Sequence, residues 1–128
     1  MKALIAALLL ATATAAGAKP LTVRMGESWA FQIRKGEPVK PRKVAATTKP
    51  AKGEIMVTAR SFLGTMLTAV NGTGRGWTFK AELLSGGQAS PARTCTLPAS
   101  TIPTMEQWKT KSDAVRISKF VPADGGSC

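Results

Sequence analysis

The chain has 128 residues and a formal net charge of +11, because 18 lysines and arginines face only 7 aspartates and glutamates. It contains no histidine and no tyrosine. The missing histidine excludes Ser-His and Cys-His catalytic pairs and imidazole metal ligands. The positive excess favours anionic partners without choosing among them.

Residues 1–18 have the pattern of a secretory signal peptide. Met1-Lys2 supplies a short positive region, Ala3–Ala11 is apolar but too short to span a membrane, and Ala16-Gly17-Ala18 is a suitable cleavage site. We therefore expect a periplasmic or secreted protein that begins at Lys19 and has no transmembrane segment. Export also argues against chromosomal nucleic acid as a partner.

Residues 19–128 have the length of one small domain, which is marginally stable without a covalent staple. Cys95 and Cys128 form an even pair, and disulfides persist in exported proteins. A bond between them would hold down the turn-rich segment 124–127. We predict this disulfide.

The first part of the predicted domain contains three strands. Residues 21–25 alternate apolar and polar side chains, and Trp29, Phe31 and Ile33 share one face of a second strand. Residues 39–44 include Pro41, which cannot donate to a central ladder, so this segment is predicted at a sheet edge. Residues 45–53 lack hydrophobic periodicity and are predicted to form a loop.

The stretch from Glu54 to Leu84 holds many of the apolar residues. Ile55, Val57 and Ala59 alternate with polar residues and Met56, as do the apolar residues of segment 77–83. Segment 65–71 alternates poorly and suits a strand covered on both faces, with a short helix over 61–70 as the alternative. The glycine-rich residues 71–76 predict an antiparallel hairpin joining 65–71 to 76–84.

The last part of the chain predicts two further strands. Gly86-Gly87 suits a two-residue hairpin turn into a return strand over 89–95, where Pro91 again favours an edge. Residues 97–104 are predicted as an extended loop and residues 105–108 as one helical turn. Val115 and Ile117 share one face of the final strand, over 114–121.

These short strands and short connections predict an all-β fold built as a small antiparallel two-sheet sandwich of immunoglobulin-like type. A small β-barrel is the alternative. The predicted core comprises Trp29, Phe31, Ile33, Ile55, Val57, Trp77, Phe79, Leu83, Val115 and Ile117.

No recognisable motif for catalysis, cofactor or metal binding is present. The commonest serine-hydrolase motifs do not occur, and the seven carboxylates are scattered along the chain. The glycines of segment 72–76 lead into a strand, which indicates turn chemistry rather than a phosphate loop. The isolated methionines are typical of packing rather than copper binding. We expect a non-enzymatic protein without a cofactor.

The segment from Arg34 to Lys52 is strongly basic. Its candidate anion-binding residues are Arg34, Lys35, Lys40, Arg42, Lys43, Lys49 and Lys52. The alternative is a solvated edge strand that charge protects from pairing with neighbours. The segment lacks the interleaved aromatic residues that stack nucleic-acid bases.

Three functions remain open. The first is an envelope binding or accessory module whose basic surface meets lipopolysaccharide, an acidic glycan or an acidic protein. The second is a protein-partner or enzyme-inhibitor module that acts through loops and edge strands. The remote third is a carboxylate-dependent hydrolase, which would need two facing carboxylates.

Overall fold

The computed structural model describes residues 19–125 and residue 128; the predicted signal peptide lies outside this part. The described residues form strands and no helix. The strands are β1 (Leu21–Arg24), β2 (Ser28–Arg34), β3 (Glu37–Val44), β4 (Ile55–Arg60), β5 (Thr65–Asn71), β6 (Trp77–Ser85), β7 (Gln88–Ala92), β8 (Thr104–Trp108) and β9 (Ala114–Pro122).

Two antiparallel sheets pack together, with strand orders β1-β9-β6-β7 and β3-β2-β4-β5-β8. Both sheets keep free edges, so they do not close into the barrel that was the alternative. The predicted all-β fold, a small antiparallel two-sheet sandwich, is confirmed. Strands β3 and β7 lie at edges, as their prolines predicted, and β6 and β7 meet directly through Gly86-Gly87.

The core lies between the inner faces of the two sheets, the faces that carry Phe31 and Ile117. Most of the predicted core residues are buried there. Trp29, Ile33 and Phe79 are only half-buried and pack against its margin. Trp29 stays at the margin because its indole nitrogen donates a hydrogen bond to the Glu27 carboxylate, at 3.0 Å.

Phe120 is a central core residue that strict alternation would have placed on the outer face of the sheet, with Arg116. Two residues of β9 face one residue of β6 at this point, and Lys119 takes a left-handed backbone conformation with φ of 54°. The bulge turns Phe120 inward, where its ring lies 5.2 Å from Phe79 and 5.7 Å from Phe31, and leaves Val121 exposed.

Segment 65–71 is strand β5, so the helical alternative is wrong. Thr65, Leu67, Ala69 and Asn71 are buried and alternate with half-buried residues. The alternation was hidden in the sequence because the polar Thr65 and Asn71 lie on the core face, whereas the apolar Met66 and Val70 face outward.

The predicted hairpin between β5 and β6 is also wrong. Strand β5 pairs with β4 and β8, whereas β6 pairs with β7 and β9, so residues 72–76 cross from one sheet to the other. The buried Asn71 side chain organises this crossing: its amide nitrogen donates to the Arg75 and Pro98 carbonyls at 2.7 and 2.9 Å. Its oxygen accepts hydrogen bonds from Thr73.

The predicted helical turn at residues 105–108 is wrong as well. These residues belong to β8, which pairs with β5 from Ala69 opposite Thr104 to Thr65 opposite Trp108. The sequence here has little strand periodicity, and pairing with a distant strand decides its conformation.

The connection from β3 to β4 covers part of the outer face of the five-stranded sheet. Both strands flank β2 and run in the same direction, so residues 45–53, here named the crossover loop, must return along the length of the sheet. This accounts for the burial of Ala30 and Met56, which pair on the outer face. The sequence had placed Met56 on a solvated face.

A strap over residues 93–97 joins the two sheets after β7. The Thr94 hydroxyl donates to the Phe79 carbonyl at 2.8 Å, and Leu97 forms a backbone bridge with Trp77. The Cys95 amide donates to the Glu106 carboxylate at 2.7 Å. Cys95 is bonded to Cys128, which confirms the predicted disulfide.

Candidate anion-binding site

The cations of the basic segment are not equally free, because two of them form ion pairs with carboxylates of the same domain. In the register of strands β2 and β3, Arg42 lies opposite Ala30 and its side chain is on the outer face of the sheet. Lys43 lies opposite Trp29, and its side chain is on the other face. The Arg42 guanidinium holds the Glu54 carboxylate through two bonds, of 2.7 and 3.1 Å. The Lys43 ammonium lies 3.1 Å from the carboxylate of Glu27.

These two carboxylates are strongly stabilised as anions. The Trp29 indole, the Arg24 amide and Lys43 together lower the pKa of Glu27 to about 2, against the opposing effect of burial. The hydrogen bonds from Arg42 and from the Ala51 amide lower the pKa of Glu54. Arg42 and Lys43 are therefore neutralised locally and contribute little to a free basic surface.

Lys40 lies at an irregularity in the edge strand. The register between β2 and β3 shifts here, and Lys40 has φ of 51°. The shift interrupts the alternation that would have placed Lys40 and Arg42 on a common face. Lys40 is exposed but is not aligned by strand geometry with the other cations.

Arg34 and Lys35 stand at the turn between β2 and β3, close to the bulge of β9. The Phe120 amide donates to the Gly36 carbonyl at 2.7 Å, and the Lys119 amide donates to Glu37 at 3.3 Å. Arg34 and Lys35 therefore lie near the four-stranded sheet and its exposed Lys119.

Lys49 and Lys52 are brought together at a cleft of about 660 Å³, here named the lysine cleft. One wall is the crossover loop, and the other is the loop before β8. Strand β5 contributes Val70 from its outer face. The lining residues are Thr48, Lys49, Pro50, Ala51, Lys52, Val70, Gly72, Thr101 and Pro103.

The lysine cleft combines positive charge with an apolar surface. Its lining includes Lys49 and Lys52 and no acidic residue, while Val70, Pro50 and Pro103 supply aliphatic surface. The nearby Glu54 is turned toward Arg42 and the Ala51 amide. Such a lining suits a ligand that carries both an anionic group and an apolar part.

A tight backbone approach forms one end of the lysine cleft. A side chain at Gly72 would meet the Glu54 carbonyl oxygen at 2.8 Å and the Ala51 carbonyl oxygen at 3.0 Å. Glycine at this position therefore allows the crossover loop to close against the end of β5. Sequence reasoning missed Val70 and Pro103 as cleft residues, because their placement depends on strand pairing between distant segments.

Several other carboxylates also accept internal hydrogen bonds. Glu82 is paired with Arg116 at 3.0 Å, which lowers the pKa of Glu82. Asp113 accepts a hydrogen bond from the Gly86 amide at 3.2 Å. Within the described residues, no group of three or more acidic or cysteine side chains is arranged to hold a metal ion.

No helix in the described part of the chain has the length and apolar character needed to cross a membrane. Comparison of the chain with protein-family models, curated proteins and solved structures found no match.

Proposed function

We propose that this chain is an exported, non-enzymatic envelope protein that binds an anionic component through the lysine cleft. The ligand class is an amphiphile bearing phosphate or carboxylate groups, such as lipopolysaccharide or an acidic lipid-linked glycan. The observation that carries the proposal is that Lys49 and Lys52 line one cleft together with aliphatic residues and no acidic residue.

The charge of the whole molecule supports this proposal. Among the described residues, only Arg42, Lys43 and Arg116 form ion pairs with carboxylates. The remaining lysines and arginines produce a positive field that attracts anions and accelerates their encounter with the protein. The Cys95–Cys128 disulfide supports export to an oxidising compartment, together with the predicted signal peptide.

The test compares two double variants with the same change in charge. Lys49→Gln with Lys52→Gln alters the lysine cleft, and Arg34→Gln with Lys35→Gln alters the distant turn between β2 and β3. Binding to soluble lipopolysaccharide and to its dephosphorylated form is measured by titration over a range of salt concentrations.

We expect the cleft variant to bind phosphorylated lipopolysaccharide at least about tenfold more weakly and with a smaller salt dependence, because fewer ions are released. The turn variant should bind nearly as well as the unaltered protein. An equal loss in both variants would show that net charge alone drives binding. That result would contradict a site at the cleft.

An alternative is a protein-partner or inhibitor module that acts through its edges. Strand β8 is the outermost strand of its sheet, and Met105 on it is 66% exposed. An extended segment of an acidic protein would add to this edge through backbone hydrogen bonds. Binding that survives high salt and is lost on Met105→Pro would favour this function over the lysine cleft.

A further inference from the structure

The turn between β4 and β5 displays two large apolar side chains to solvent. Phe62 is 53% exposed and Leu63 is 79% exposed, and they are adjacent in the chain. We propose that this pair, here named the apolar tip, docks the protein onto the surface of a lipid bilayer that contains anionic lipids. The tip is separate from the lysine cleft, so this inference does not depend on the proposed function.

The backbone of the turn is held in an uncommon conformation. Leu63 has φ of 50°, and Gly64 follows with φ of 114°. A side chain at Gly64 would collide with the Trp108 carbonyl oxygen, since its Cβ would lie 2.1 Å from that atom. Left-handed conformations are unfavourable for leucine, and such strain is often found where a side chain has a function.

A second contact fixes the tip from the side of β8. The Gln107 side-chain amide donates to the carbonyl oxygens of both Phe62 and Leu63. The main chain is thus held from one side, and the two apolar side chains remain exposed. A tip ordered before binding loses less conformational entropy when it enters a bilayer.

Basic residues surround the apolar tip. Arg60 ends β4, and Lys109 and Lys111 lie in the connection between β8 and β9. Leu63 and Lys111 line a common cleft of about 510 Å³. The Gly64 backbone approaches Lys109 closely, since an added Cβ would lie 2.7 Å from its carbonyl oxygen.

Two acidic residues lie near the tip. Asp113 lines the same cleft as Leu63, and it accepts a hydrogen bond from the Gly86 amide. Glu27, on the neighbouring turn before β2, is paired with Lys43. Arg60, Lys109 and Lys111 outnumber Asp113, the one carboxylate near the tip that has no cationic partner among the described residues, so the net charge around the tip is positive and complements an anionic membrane surface.

The combination of these two features favours a bilayer as the partner. Transfer of aromatic and aliphatic side chains from water to the interface between headgroups and acyl chains lowers the free energy. Lysine and arginine side chains at the same depth are attracted to anionic lipids. Two apolar side chains alone give weak attachment, so reversible docking requires both contributions.

The experiment measures co-sedimentation with vesicles of phosphatidylcholine alone and of phosphatidylcholine mixed with phosphatidylglycerol. The tip variant is Phe62→Ser with Leu63→Ser, and the cation variant is Lys109→Gln with Lys111→Gln. The control is Ile102→Ser with Val121→Ser, which removes two other exposed apolar side chains. Thermal unfolding of each variant checks that the fold is retained.

We expect the unaltered protein and the control to bind the mixed vesicles, and the tip variant to bind at least about tenfold more weakly. The cation variant should lose the preference for phosphatidylglycerol. The Lys49→Gln, Lys52→Gln variant should bind vesicles as the unaltered protein does, which separates this inference from the lysine cleft. Failure of the unaltered protein to sediment, or equal binding by the tip variant, would overturn the inference.

Discussion

The guanidinium of Arg42, in the edge strand β3, forms a bidentate ion pair with the carboxylate of Glu54, the residue immediately before β4. The distances are 2.7 Å from Nη2 to Oε1 and 3.1 Å from Nε to Oε2. The Glu54 side chain is only 8% exposed. The pair therefore anchors the end of the crossover loop to the edge of the sheet, and its role is structural.

The first prediction is that Arg42→Gln lowers stability but leaves anion binding intact. The variant leaves Glu54 buried without its cation, so unfolding by urea should require less denaturant at neutral pH. The control Arg34→Gln makes the same chemical change at an exposed turn and should leave the unfolding midpoint unchanged. A loss of lipopolysaccharide binding by folded Arg42→Gln would contradict this assignment.

The same pair gives a pH dependence with a definite sign. The fold lowers the pKa of Glu54, so its ionised form contributes stability above the unfolded-state pKa. That contribution is lost as the pH falls through the folded-state pKa. The acid side of the stability profile should consequently be flatter in Arg42→Gln than in the unaltered protein.

Alternation in the sequence was sufficient to predict the inner faces of several strands. Phe31, Ile55, Val57, Val115 and Ile117 are buried as expected, since each lies in a run that follows the pleat. Alternation does not predict which residues are buried where the pleat itself is interrupted. The bulge in β9 reverses the positions of Phe120 and Val121, and a local pattern contains no signal for it.

The candidate site was predictable only in part. The sequence identified Lys49 and Lys52, but it grouped them with Arg42 and Lys43, whose partners are set by the fold. Glu54 lies twelve residues after Arg42 and reaches it only because the crossover loop returns along the sheet. The apolar tip lies in a segment whose pattern fits either a strand or a short helix, so the sequence does not predict its exposure.

The second prediction concerns the disulfide between Cys95 and Cys128. It closes a loop with a sequence separation of 33 residues and fixes the strap that joins the two sheets. Replacing both cysteines with alanine should lower the free energy of unfolding by about 3–4 kcal/mol, chiefly because the unfolded chain gains freedom. Urea unfolding with and without reductant measures this loss.

Thiol labelling provides the accompanying check. The denatured, unreduced protein should react with no thiol reagent, whereas the reduced protein should react at two positions. Reductant should not change the stability of the double-alanine variant, which therefore serves as the control. Labelling without reduction would contradict the bond.

The third prediction concerns Glu106, whose side chain lies on the inner face of β8 opposite the buried Leu67. Its carboxylate accepts a hydrogen bond from the Cys95 amide at 2.7 Å. Burial raises the pKa of Glu106, and the amide opposes this only in part. The neutral acid is therefore favoured in the folded protein relative to the unfolded chain.

The sign of the pH dependence is opposite to that of Glu54. A folded-state pKa above the unfolded value contributes stability that is complete below the unfolded pKa and is lost as the pH rises through the folded pKa.

Glu106→Gln removes this loss while keeping an oxygen that can accept the Cys95 hydrogen bond. The variant should be more stable than the unaltered protein at pH 7, and this gain should disappear as the pH falls below the unfolded-state pKa. Glu106→Ala should be less stable at both pH values, because it leaves the Cys95 amide without its acceptor. If urea unfolding shows Glu106→Gln to be destabilised equally at both pH values, the carboxyl group contributes through its shape or hydrogen bonding, and burial of its charge carries no cost.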